Sequence, residues 1–148
     1  MKMSKKCDGG LKNMNIEYKE TKTFNSVDLE RLFLSVNWDS GKYPDKLTRA
    51  MLNSTHVVSA WDDKRLVGLV RALDDGATVA FIHYLLVDPE YQGMNIGNEL
   101  MKRILKYFTD LLYVKIMPSD PNTISFYKRF GFETYENYSA LVIKNFQI

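Results

Sequence analysis

The segment Val87-Asp88-Pro89-Glu90-Tyr91-Gln92-Gly93-Met94-Asn95-Ile96-Gly97 decides the fold, because the residue pattern changes across it. Upstream, residues 77–87 are apolar on both faces, as a buried central strand requires. Downstream, Ile96, Leu100, Ile104 and Phe108, joined by Met101 and Leu105, recur at helical spacing. The segment is therefore a strand-to-helix turn. Such a turn directs free backbone N–H groups outward beside the positive end of the helix dipole. Gly93 and Gly97 let the backbone approach an anion closely, and the segment holds no Lys or Arg. Backbone amides would do the binding, which is chemistry suited to a pyrophosphate. A plain strand–turn–helix connection reads the same way on these residues alone. A P-loop is excluded, because no Gly-Lys-Ser/Thr occurs. A dinucleotide fingerprint also fails, since the glycine spacing is wrong and the next strand ends Ile116-Met117-Pro118 without an acid.

Before this turn the chain reads as a helix pair and a meander. A first strand is predicted over 15–20. Asn25 can cap a helix in which Leu29, Leu32, Phe33 and Val36 share one face, with Phe24 stapled onto Leu29. Pro44 suits the first position of a second helix reaching about Asn53. Strands are predicted at 55–61, 66–73 and 77–87, the last two joined at Asp75-Gly76. After the turn, Leu112, Val114 and Ile116 alternate as a strand, so that 79–117 forms a right-handed parallel crossover. Asp120-Pro121 starts a further helix and Gly131 ends it; final strands are predicted at 132–135 and 140–143.

Composition narrows the function. The 148 residues fit a single domain, 15–148, behind a loose tail, 1–14. Twenty Lys+Arg against eighteen Asp+Glu leave +2, too balanced for a nucleic-acid or membrane partner. The single cysteine, Cys7, allows no intrachain disulfide, and no Cys/His cluster has metal spacing. No apolar run or leader-like segment appears, so a cytoplasmic location is expected.

The turn resembles the acyl-CoA-binding motif of the GNAT acetyltransferase superfamily, Arg/Gln-x-x-Gly-x-Gly/Ala after a Val-x-Pro strand end. Gln92 and Gly97 match, and Asn95 stands where the middle glycine would be. Asn is the non-glycine residue that best tolerates positive φ. Downstream, Asn122 followed by Phe126-Tyr127-Lys128-Arg129-Phe130-Gly131-Phe132 resembles the family's Asn…Phe-Tyr-x-x-x-Gly-Phe motif. The likeness covers residues 15–146 and is nearest, weakly, to arylalkylamine- or serotonin-type N-acetyltransferases. It implies an α/β fold with a mixed, mostly antiparallel central sheet, splayed parallel strands 4 and 5, and helices on both faces.

The resemblance further implies acetyl transfer from acetyl-CoA, with CoA as product, to the amine of a small molecule. A protein or peptide N-acetyltransferase and a non-catalytic acyl-CoA sensor are the alternatives. It places the pyrophosphate on amides of Gln92, Gly93, Met94, Asn95, Ile96, Gly97 and Asn98, and the pantetheine along Leu85, Leu86 and Val87. Asn122 and Ser125 would bond the acyl arm. Tyr127 would protonate the leaving thiolate, a transfer uphill by about 1.5 pKa units. His83 would take the amine's proton directly or through water, unless it is a core histidine. Tyr84, expected on the opposite face, is the weaker base. An N–H at Leu86, freed by a bulge, would receive the oxyanion. Trp38, Tyr43, Tyr84, Glu136 and Tyr138 would line the amine pocket. No metal is required, and a homodimer through the last strands is a family implication.

Overall fold

The computed structural model describes residues 15–146; the expected tail, with Cys7, lies outside them. Five strands, β1 (Ile16–Lys19), β2 (His56–Asp62), β3 (Arg65–Asp74), β4 (Val79–Val87) and β5 (Tyr113–Ile116), form one sheet in the order β1-β2-β3-β4-β5. The first four pair antiparallel, as the meander reading predicts. β5 runs parallel to β4, and the two meet near their starts, where the Tyr113 N–H donates to the Thr78 carbonyl at 2.9 Å.

Helices cover both faces of this sheet. On one side, α1 (Ser26–Ser35) and α2 (Pro44–Leu52) bury Leu29, Leu32, Phe33, Leu47 and Met51 against Val57, Leu69 and Leu86. On the other lies α3 (Ile96–Leu105). Adjacent residues of a strand face opposite ways. So while Leu69 joins the α1–α2 core, Gly68 meets α3, where a Cβ would stand 3.1 Å from Ile96 Cγ2 and 3.3 Å from Leu100 Cδ1. The close approach of α3 is what requires glycine there.

Local signals hold with small changes. Asn25 occupies the cap position of α1, yet its side chain makes no capping bond. Phe24 is buried and stacks on Trp61 at 6.2 Å, in the same apolar cluster as Leu29, so its burial anchors the entry of the helix. β4 starts two residues later than expected. The Asp75 Oδ1 accepts the N–H groups of Ala77, Thr78 and Val79 at 2.9, 2.7 and 3.1 Å, which removes residues 77–78 from the ladder.

The chain divides into two compact units between Lys115 and Ile116. In the second, Asp120 accepts from the Asn122 N–H at 2.9 Å and opens a short 3₁₀ turn leading into α4 (Ile124–Lys128). The helix ends at Lys128 with Arg129 as its cap, and Gly131, expected directly after the cap, lies one residue further on with φ of 99°. The final strands expected at 132–135 and 140–143 do not form: residues 132–146 contain no strand, and Leu141 and Ile143 are 93% and 86% exposed. Alternation makes a segment willing to be a strand, but a strand exists only with a ladder partner.

Candidate active site

The turn after β4 is held from below by a buried carboxylate. Asp88 is almost wholly enclosed and accepts from Arg65 Nη2 at 3.1 Å, Arg31 Nη1 at 3.4 Å and the Glu90 N–H at 2.9 Å. Its own N–H donates to the Val67 carbonyl at 2.8 Å. Three residues on, the Tyr91 hydroxyl donates to Asp62 Oδ2 at 2.5 Å, and burial together with that bond pushes the phenol up to about 12. The sequence reading missed both anchors. An acidic residue directly before a proline at a strand end was their only trace.

Beyond the anchors the backbone turns open. Gly93 and Asn95 both take positive φ, 86° and 67°. Asn95, in the left-handed conformation, is the residue that caps α3, so it does the work expected of the missing glycine. Ile96, Gly97 and Asn98 form the first turn of α3, where N–H groups have no intrahelical acceptor. Among the described residues, no hydrogen bond outside the helices and strands uses an N–H from Gly93 to Asn98. Gln92 differs. Its N–H makes a long bond to the Pro89 carbonyl at 3.4 Å, and its side chain folds back to donate to the Val87 carbonyl at 3.0 Å. The open amide row therefore starts at Gly93. The carbonyl at Val87, on the strand edge expected to meet pantetheine, is covered by Gln92.

A second constellation lies on the α1–α2 face of β4. Opposite Arg71 the ladder slips: Val70 pairs with Leu85 and Ala72 with Ile82, leaving His83 and Tyr84 to face one residue. This is a β-bulge. Tyr84 has φ of 76°, an outlier for a bulky side chain. The bulge corrects two expectations. It lies at His83–Tyr84, whereas Leu86 remains paired with Leu69. It also turns Tyr84 onto the same side as His83, and the rings stack at 4.0 Å.

Tyr84 then meets Trp38 at 6.0 Å and Phe33 edge-on at 4.8 Å, while its hydroxyl lies 2.7 Å from Ser40 Oγ. Two of the expected amine-pocket residues, Trp38 and Tyr84, are thus brought together. Tyr43 is half-buried at the start of α2. Below them, the buried Arg71 places Nη2 2.7 Å from His83 Nδ1 and its guanidinium 5.2 Å from the Tyr84 ring. Burial first, and Arg71 second, push the His83 pKa down to about 4. That value and that contact oppose the direct base role. Arg71 was missed, although a lone cation inside the apolar run Leu66–Leu73 was its signal.

In the second unit, Tyr127 is buried between Phe126 at 5.1 Å and Phe132 at 6.1 Å, both edge-on, and burial raises its phenol pKa. Asn122 and Ser125 are exposed, as are Glu136 and Tyr138, the latter paired with Tyr135 at 5.5 Å. Among the described residues no cluster of His, Cys, Asp and Glu is arranged to hold a metal. No described helix is long and apolar enough to cross a membrane.

A bulged strand running into an amide-rich turn, within a sheet covered by helices on both faces, defines an acyltransferase domain. The chain belongs to the Acetyltransferase (GNAT) family, which its residues 23–132 match. It is 33% identical over 119 residues to a ycf52-like N-acetyltransferase of Prochlorococcus marinus, covering 77% of this chain and 66% of that one. It is 32% identical over 119 residues to a histone acetyltransferase, TAP1, of Glycine max, covering 72% of this chain and 51% of the relative. The chain thus spans about half to two thirds of the length of these curated relatives. Among solved structures, a GNAT family acetyltransferase from Streptococcus pneumoniae superposes with a TM-score of 0.75 at 29% identity, covering 88% of this chain and 99% of that one.

Proposed function

We propose that this domain transfers an acetyl group from acetyl-CoA to the primary amine of a small molecule, by direct attack on the thioester. The observation that carries this reading is the row of N–H groups from Gly93 to Asn98 at the start of α3, which find no acceptor among the described residues. Unpaired donors at a helix N-terminus suit the CoA diphosphate. The amine attacks as its neutral form, an alkyl ammonium with a pKa of ~10.4 having first lost a proton to the buffer. Its nitrogen bonds to the thioester carbon, the C–S bond breaks, and the thiolate takes a proton from the Tyr127 phenol. The proton that the nitrogen then releases to solvent is balanced by the one the phenolate takes back from solvent. His83 is given no part in these transfers, because its Nδ1 faces Arg71 Nη2 at 2.7 Å. Trp38 and Tyr84 supply an aromatic wall for the acceptor.

A protein amine is the second reading, favoured by the name of the Glycine max relative. Thiol release from acetyl-CoA with panels of small amines and of lysine peptides distinguishes the two. Faster release with peptides would replace the small-molecule reading. Tight CoA binding with no release for any amine would leave a sensor. Gly97→Leu, which crowds the amide row, should weaken CoA binding at least tenfold by calorimetry. Unaltered affinity would displace the phosphates from this turn.

A further inference from the structure

Arg71 is a buried guanidinium with no carboxylate beside it among the described residues. Its neighbours are Ser54 Oγ at 3.4 Å, His83 Nδ1 at 2.7 Å and the Tyr84 ring, and its Nε has no hydrogen-bond partner among the described residues. A buried cation without an anion is costly. Packing alone does not account for it, since an apolar side chain of the same length would fill the space.

Chemistry fixes the direction of the Arg71–His83 bond. A guanidinium only donates hydrogen bonds. His83 Nδ1 must therefore accept, with its lone pair directed at Nη2. A doubly protonated ring has no such lone pair, and the neutral ring with hydrogen on Nδ1 would set two donors against each other. The remaining form carries its hydrogen on Nε2. We propose that Arg71 is a positioning residue that holds His83 as the neutral Nε2–H tautomer, so that this imidazole offers a fixed hydrogen-bond donor instead of a proton acceptor. The bulge supports the same arrangement. It sets His83 and Tyr84 together opposite Arg71, and Tyr84 lies against both, stacked on the imidazole and under the guanidinium. Among the described residues, two titratable or charged groups meet His83, Arg71 from β3 and Tyr84 from β4; Phe81, at 5.8 Å, is the other ring against it.

The proposal deepens the acetyltransferase reading, resting on it for one consequence only. If this face receives the acceptor, the Nε2–H bonds a lone pair on the acceptor or on an ordered water, and helps to fix the nucleophile in place. The tautomer itself does not depend on that reading, so its test needs no substrate. Long-range proton–nitrogen correlation spectra of the full ¹⁵N-labelled chain read both imidazole nitrogens. In the wild type, His83 Nδ1 should give an unprotonated signal and Nε2 a protonated one, unchanged from pH 8 down to pH 5. Arg71→Met removes the donor and keeps the length of the side chain. It should give a mixture of tautomers and move the titration midpoint up from about 4 toward the ordinary 6.5. Arg71→Lys, which keeps a charge and a donor, should restore the Nε2–H form in part. Hydrogen on Nδ1 in the wild type overturns the proposal, without recourse to any variant. So does a folded Arg71→Met protein whose spectrum and midpoint match the wild type.

Discussion

The amide turn after β4 and the bulge within it lie on one strand but are built from different materials. The turn is backbone chemistry. Positive φ at Gly93 and Asn95 and the start of α3 open a row of N–H groups, and the side chains serve mainly to permit that path. The bulge is side-chain chemistry. Arg71, His83, Tyr84, Ser40 and Trp38 come from β3, β4 and the α1–α2 connection, and each depends on the others for its orientation. A backbone site tolerates much sequence change so long as φ survives. A side-chain cluster is open to change at every member, which is where acceptor choice can diverge within one fold.

The sharpest division between binding and chemistry is expected at Tyr127. Tyr127→Phe keeps the buried ring and removes one hydroxyl. Turnover should fall on the order of 10²-fold, with CoA affinity nearly unchanged. Steady-state kinetics and CoA calorimetry on one preparation check this. An unchanged rate would remove the phenol from the mechanism and leave water to protonate the thiolate.

The turn was legible before the structure because its signals are local. Strand end, proline, glycines and helix onset all lie between Val87 and Gly97. The meander was legible for the same reason. The bulge was not. Nothing in Phe81-Ile82-His83-Tyr84-Leu85 marks a left-handed tyrosine, since the slip arises from pairing with Arg71 across the ladder. Strict alternation therefore put Tyr84 on the wrong face. The last strands failed in the opposite way: 132–135 and 140–143 carry the local pattern, but a ladder is a non-local object. Asp88 lies between these cases. Its place before Pro89 was visible, whereas its bonds to Arg31 and Arg65 join residues 57 and 23 positions apart.

If the turn is backbone chemistry, its most sensitive residue is the one that departs from the motif. Asn95 holds φ of 67°, where an L residue ordinarily pays ~1–2 kcal/mol and asparagine less. Asn95→Gly should leave CoA affinity within about twofold of wild type. Asn95→Val, branched at Cβ, should weaken it about tenfold, corresponding to the ~1.4 kcal/mol that one decade of affinity represents. Equal affinities for all three proteins would mean that the amide row does not need the left-handed residue, and the contrast between backbone and side-chain sites would lose its main support.

The bulge offers the subtlest contrast, a dependence of stability on pH. His83 has a pKa near 4 in the folded protein, against an ordinary value of about 6.5 once unfolded. Above pH 6.5 both states hold the ring neutral, so it contributes nothing to the pH slope. Between 6.5 and 4 the unfolded chain binds more protons, so unfolding becomes easier as the solution is acidified. Below 4 both states are charged and the loss is complete. Between pH 6.5 and 5 the loss should be about 1 kcal/mol, since a half-buried ring retains part of its solvation. Carboxylates add their own slopes at lower pH, so the measurement is a difference: urea unfolding of wild type against His83→Gln, whose amide oxygen can still accept from Arg71. The variant should lose less stability than wild type across that window and match its slope above pH 7. Parallel curves through the whole range would mean that His83 titrates normally in the folded state, and that the side chains around the bulge leave its proton as free as it is in water.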